Sequence, residues 1–194
     1  MMDSSLFGKL PQKRDFISIN TPRSFLNLWE EWLEDALYEN QSRLKEAWQS
    51  TYKAMPTWRF WLGQQYCGNE VIGVITPSKD GAGRCYPLTL INFQDRAQQP
   101  IQHSLYPRRS DMYSQWFESA EELLKNSQNA AYPFEQIKQN LEAMTSIQIS
   151  KQQALQAQQP APNGSLWWQQ SCSFSWDGAL NSTLFDQLMT KTSI

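Results

Sequence analysis

The chain has 194 residues, 40% of them hydrophobic, with nine Trp, nine Phe and seven Tyr, enough large side chains to fill one core without disulfides or metal. Seventeen Lys and Arg stand against nineteen Asp and Glu, a net charge of -2 that argues against nucleic acid and anionic membrane surfaces as partners. No apolar run approaches the ~20 residues a spanning helix needs.

The opening MMDSSLFGKL lacks a basic start and an apolar stretch, so no signal peptide is expected. FGKLP and DFISI read as two short strands around a turn, with Pro11 ending the first and Lys13-Arg14 at the bend. Thr21-Pro22 predicts a helix start, with Thr21 as cap and Pro22 in the first position. Phe25, Leu28, Trp29, Trp32, Leu33, Ala36 and Leu37 then recur at helical spacing. Leu44, Ala47, Trp48 and Tyr52 continue the pattern up to Pro56, as one bent helix or two.

TWRFWLG alternates, placing Trp58, Phe60 and Leu62 on one face of a strand. VIGVIT reads as a strand buried on both faces. In YPLTLINF, Leu88 and Leu90 share one face and Thr89 and Ile91 the other. The connections between these strands are short, which predicts antiparallel neighbours.

Residues 94 to 110 read as a polar loop. Asp111 is expected to cap a helix bearing Met112, Trp116, Phe117, Ala120, Leu123 and Leu124. Pro133 opens another, with Phe134, Ile137, Leu141 and Met144. Residues 148 to 159 hold six glutamines and read as an exposed helical extension or linker ended by PAPNGS. LWWQQSCSFSW alternates as one strand, with Leu166, Trp168, Cys172, Phe174 and Trp176 on a common face. Trp167 points the other way and is expected to be an exposed interface anchor. Asp177-Gly178 turns the chain into a closing helix with Leu184, Phe185, Leu188 and Met189.

The order predicts an α+β fold, a mostly antiparallel sheet flanked by helices. The expected organisation is a main unit over 1–147, a Gln/Pro-rich segment over 148–164, and a strand and helix over 165–194 that pack on the same domain.

Chemistry is sparse. Cys67, Cys85 and Cys172 are odd in number, widely spaced and without a CxxC, which fits reduced thiols of a cytosolic protein. His103 is the single histidine, which removes most metal sites and makes any triad depend on it. A Cys85–His103 dyad is formally open, although Cys85 fits a small buried hydrophobe better. The Gly8 stretch lacks the upstream glycine and the following Ser or Thr of a phosphate loop, and GAG at 81–83 is followed by a strand, not by the helix a dinucleotide fingerprint needs. Ser78 and Lys79 point to opposite faces of an extended segment and do not pair. Glu30, Glu31, Glu34 and Asp35 read as a solvated helix face. No catalytic residue, metal, cofactor or small-molecule substrate is expected.

Four blocks are more specific: FGKLPQKRDFI (7–17), PRSFLNLWEEWLEDAL (22–37), AMPTWRFWL (54–62) and GVITPSKDGAGRCYPLTL (73–90). In order and spacing they resemble TagF, also called ImpM, a family associated with type VI secretion. The resemblance covers residues 7 to 90 closely, SLWW and the closing helix more loosely, and 94–163 hardly at all. It implies a cytoplasmic, non-enzymatic accessory protein that represses secretion after translation. The implied partner is Fha, the forkhead-associated scaffold protein. Some relatives carry a fused PppA-type phosphatase domain, which is not expected in this chain. The motif positions are Gly8, Pro11, Pro22, Trp58, Arg59, Pro77, Gly83 and Pro87.

Two departures stand out. Lys13-Arg14 replace the family's Arg-Gly, and a glycine there would admit a positive φ that Arg14 does not easily take. Lys79, Gly81, Ala82 and Cys85 stand where relatives more often carry Val, Arg, Val and an aromatic. The expected partner surface comprises Lys9, Lys13, Arg14 and Asp15 in one corner, Ser78, Asp80 and Arg84 in another, and Trp167. The competing expectation is that Asp80 and Arg84 brace their own loop. A hydrolase or modifying enzyme using Cys85 or Ser78 is the alternative function.

Overall fold

The computed structural model describes residues 2–94, 113–145 and 163–191. The expected Asp111 cap, His103, the 94–110 loop beyond Gln94 and nearly all of the Gln-rich segment lie outside these residues.

Seven strands form one sheet: β1 (Met2–Gly8), β2 (Ile17–Ile19), β3 (Trp58–Leu62), β4 (Val71–Thr76), β5 (Leu88–Gln94), β6 (Ser165–Trp168) and β7 (Ser173–Trp176). Their spatial order is β2-β1-β5-β4-β3-β6-β7, and every neighbouring pair is antiparallel. The short connections β3-β4-β5 make the central meander. The first hairpin adds at β5 and the last at β3.

Helices α1 (Arg23–Leu44), α2 (Trp48–Ala54) and α5 (Ser182–Thr190) cover one face. Helices α3 (Ser114–Ser127) and α4 (Phe134–Thr145) cover the other. This is the expected α+β architecture. All six residues of β4 are buried, because the strand is central and covered on both sides.

The α1 face carries an aromatic row. Ile91, Gly73, Phe60, Trp167 and Phe174 stand side by side on five adjacent strands. The Phe60 and Trp167 rings lie 5.1 Å apart, and Trp29 of α1 sits 5.0 Å from Phe60. Gly73 makes this possible: a Cβ there would come within 2.2 Å of the Phe60 ring. Burying so many large rings supplies much of the hydrophobic driving force. Their polar edges are satisfied as well. Trp29 donates to Thr89 Oγ1 on β5, Trp58 to the Leu188 carbonyl of α5, and Trp32 to the Asn181 carbonyl, each at 2.9 Å.

Three expectations are corrected. LWWQQSCSFSW is a hairpin, not one strand, because the chain turns at residues 169–172 and Gln169 N–H closes on the Cys172 carbonyl. The turn resets the alternation, so Leu166 and Trp168 face α3 while Phe174 and Trp176 face the α1 side. Trp167 is therefore fully buried in the aromatic row, not exposed. Thr21 does not cap α1; its hydroxyl bonds the Leu6 and Ile19 carbonyls, and Pro22 occupies the cap position. Between α1 and α2 a 3₁₀ turn spans Lys45–Ala47, and Lys45 at φ 49° breaks the first helix, which resolves the two-helix alternative.

Candidate functional site

The segment after β1 and the segment between β4 and β5 meet at one corner of the molecule. They are remote in sequence, and β1 brings them together by pairing with β5. The two expected corners are therefore a single one.

Asp80 is its centre. Its carboxylate is buried and accepts four donors. Ala82 N and Arg84 N reach Oδ1 at 2.9 Å each, while Arg84 Nε (2.7 Å) and Lys9 Nζ (3.2 Å) reach Oδ2. Burial alone would raise the Asp80 pKa. The Arg84 amide, Lys9, the Arg84 side chain and the Ala82 amide outweigh it and hold the carboxyl well below the usual carboxylate range. Asp80 is thus a fixed negative charge.

The rest of the corner closes around this pair of loops. Ser78 Oγ donates to the Lys9 carbonyl at 2.8 Å. The Tyr52 hydroxyl of α2 donates to the Ser78 carbonyl and accepts from Ser78 N–H, both at 3.0 Å. Burial pushes the Tyr52 pKa up and keeps it a phenol. Gly81 N–H donates to the Lys13 carbonyl at 2.7 Å, and Arg84 donates to the Arg14 carbonyl at 2.6 Å. A Cβ on Gly81 would meet the Pro11 carbonyl oxygen at 3.1 Å, so the glycine permits the close approach.

The motif positions hold this frame. Gly8 ends β1 against Pro87, Pro77 follows β4, and Gly83 N–H closes the turn on the Asp80 carbonyl. Arg59 of β3 makes a two-pronged contact with Glu121 of α3 at 2.7 and 2.9 Å. Arg14 takes no positive φ, so the missing family glycine leaves no left-handed residue at that bend. The Lys13 ammonium lies 4.3 Å from the centre of the Phe134 ring.

Burial divides the expected surface residues. Lys9, Ser78, Asp80 and Trp167 are buried; Lys13 is half-buried; Arg14, Asp15 and Arg84 are exposed. Sequence reading missed Phe16, Lys53 and Tyr52. Phe16 and Lys53 are exposed beside the corner, and the Tyr52 hydroxyl is hidden behind a helical position that reads as core.

Nothing in this corner is set up as a nucleophile. Burial raises the Cys85 pKa despite the pull of Lys53, Lys79 and Lys9, and the Ser78 hydroxyl is committed to a backbone carbonyl. Tyr86 is buried, its hydroxyl has no hydrogen-bond partner among the described residues, and burial together with Glu30 and Glu34 keeps it protonated. Among the described residues no cluster of three His, Cys, Asp or Glu could hold a metal. A groove of about 720 Å³ between α1 and the C-terminal hairpin is lined by Glu31, Asp35, Glu39 and Asp177 and shares no residue with the corner.

A model of the TagF N-terminal domain, type VI secretion system-associated, matches residues 5–144. The chain belongs to the TagF family. That match takes in both loops of the corner. Among solved structures, PA0076 from Pseudomonas aeruginosa PAO1 shares the fold, with a TM-score of 0.82 and 24% identity over 99% of this chain and 96% of that one. The fold shared with that structure extends past residue 144 through the C-terminal hairpin and α5. No curated protein sequence matches. As a TagF-family chain, the protein is an accessory of type VI secretion. Among the described residues no helix is long and apolar enough to cross a membrane.

Proposed function

We propose that this TagF-family protein is a non-enzymatic repressor that restrains type VI secretion from the cytoplasm by binding a core scaffold of the machine, the forkhead-associated protein. The observation that carries this reading is the corner itself. Two family segments are locked together through a buried carboxylate whose donors are all internal. Such a site is built to hold a surface in shape, since rigid presentation lowers the ordering cost of binding.

The enzyme alternative meets a chemical objection. A catalytic thiol needs its pKa lowered and a base within hydrogen-bond reach, whereas burial raises that of Cys85. Ser78 is buried and its hydroxyl is spent as a donor to Lys9.

Deleting the gene should raise secretion of type VI substrates, and overexpression should suppress it. No change in either direction would sink the repressor reading. Purified protein should retain the scaffold in a pull-down, and the double variant Cys85→Ala, Ser78→Ala, once shown to be folded, should still repress. Loss of repression by that folded variant would favour an enzyme.

A further inference from the structure

We infer that the outer face of this corner is a binding hot spot for an acidic, partly apolar segment of a protein partner, anchored on Phe16 and ringed by Arg14, Lys53, Lys79 and Arg84. The inference rests on the reading of the protein as a binding module and adds the surface and the chemistry of what it binds.

Phe16 is 49% exposed, and Tyr38 is the other strongly exposed large hydrophobic among the described residues. The two differ in support. The Phe16 ring meets Tyr86 edge-on at 4.6 Å, stacks with Phe7 at 6.0 Å and has the Lys9 ammonium 4.9 Å from its centre. It is an apolar surface already held in place, so little side-chain freedom is lost when a partner covers it. Hot spots favour such aromatic and arginine anchors.

The exposed charge on the two loops and at the end of α2 is mostly positive. Arg14, Lys53, Lys79 and Arg84 are exposed, and Lys53 and Lys79 both act electrostatically on the Cys85 thiol. Asp80 is buried and already engaged, which leaves Asp15 as the exposed carboxylate of the two loops. On the α1 margin, Glu30 and Glu34 bear on the buried Tyr86 hydroxyl. This basic patch sits on a chain of net charge -2.

Arg84 offers the directional contact. Its side chain is 62% exposed. Its Nε–H goes to Asp80 and one terminal nitrogen to the Arg14 carbonyl. A guanidinium carries five N–H donors, so others remain for an incoming carboxylate. Acidic side chains fit the ring of cations, and an apolar side chain fits Phe16. Nucleic acid fits less well, because four exposed cations on an acidic protein fall short of a backbone-tracking stripe.

The test places a photoreactive phenylalanine at exposed Ala82 of the full chain in its own host, and maps the cross-linked peptide by mass spectrometry. The expected product is one protein segment with an excess of Asp and Glu. Lys79→Glu and Phe16→Ala, each with its melting temperature measured, should cut the cross-link yield at least tenfold. Lys79 is exposed and is tied to Cys85 through its backbone, so reversing its side-chain charge should leave folding intact. A cross-link to nucleic acid or lipid, a segment without acidic excess, no cross-link, or a yield unmoved by Lys79→Glu overturns the inference. The secretion assay on the deletion strain is read separately. Repression that survives Lys79→Glu and Phe16→Ala would discard the surface while leaving the repressor reading standing.

Discussion

The aromatic row and the charged corner do the same job by opposite means. Each joins segments far apart in the chain. The row joins α1, β3 and β6 through ring volume around Gly73, with Trp29, Phe60 and Trp167 in mutual contact. The corner joins the post-β1 segment, the β4–β5 loop and α2 through one carboxylate and a few directed hydrogen bonds. Packing of the first kind is insensitive to pH and unforgiving of lost volume. Polar closure of the second kind depends on charge, and it leaves its outer donors available to a partner.

The comparison can be broken from the packing side first. Trp167→Ala removes a fully buried ring and should cost about 3–5 kcal/mol, the largest effect expected of a single substitution here. Chemical denaturation checks it. A cost below about 1 kcal/mol would show that the C-terminal hairpin is an accessory to the core.

On the polar side, Asp80→Asn keeps an acceptor for the two amides but strips the charge that faces Lys9, itself buried. A loss of about 3 kcal/mol is expected, because one buried charge is left uncompensated. The same residue gives the pH test. Its folded pKa is depressed, so its stabilisation is fully present above the unfolded value of about 3.9 and is lost as pH falls towards the folded one. Wild-type and Asp80→Asn melting temperatures should therefore differ most at neutral pH and converge on acidification below about pH 4. A gap that is constant with pH would mean that the carboxylate acts by shape alone.

The smallest effect tests a helix end beside the aromatic row. Asn181 caps α5 through Oδ1 to Leu184 N–H at 3.0 Å, while its carbonyl accepts the Trp32 indole N–H. Asn181→Ala should cost about 1 kcal/mol, since it removes only the side-chain cap. A much larger loss would show that the indole contact depends on the cap.

Sequence periodicity located the strands and helices that carry large apolar residues. Trp58, Phe60 and Leu62 alternate, and Phe25, Trp29, Trp32, Leu33 and Ala36 recur at helical spacing, because a pleated strand and a helix each impose a fixed period on what they bury. It failed where a tight turn falls inside an alternation. Leu166, Trp168, Cys172, Phe174 and Trp176 keep one parity with Gln170 as the exception, so the hairpin reads as one strand and Trp167 as surface. The turn is set by pairing of β6 with both β3 and β7, a contact between distant segments.

The site was legible in identity but not in arrangement. The residue types in the two loops, down to Asp80 and Arg84, mark the family and even suggest bracing. That the loops form one corner is not local information, for it follows from β1 lying beside β5 across eighty residues of chain. By itself the sequence determined the α+β class, the core faces outside the C-terminal hairpin, and the family, since these depend on pattern and composition. Tertiary structure alone decided which charges are spent and which are offered. Burial sends Lys9, Ser78 and Asp80 inward to one another and leaves Arg14, Phe16, Lys79 and Arg84 facing outward.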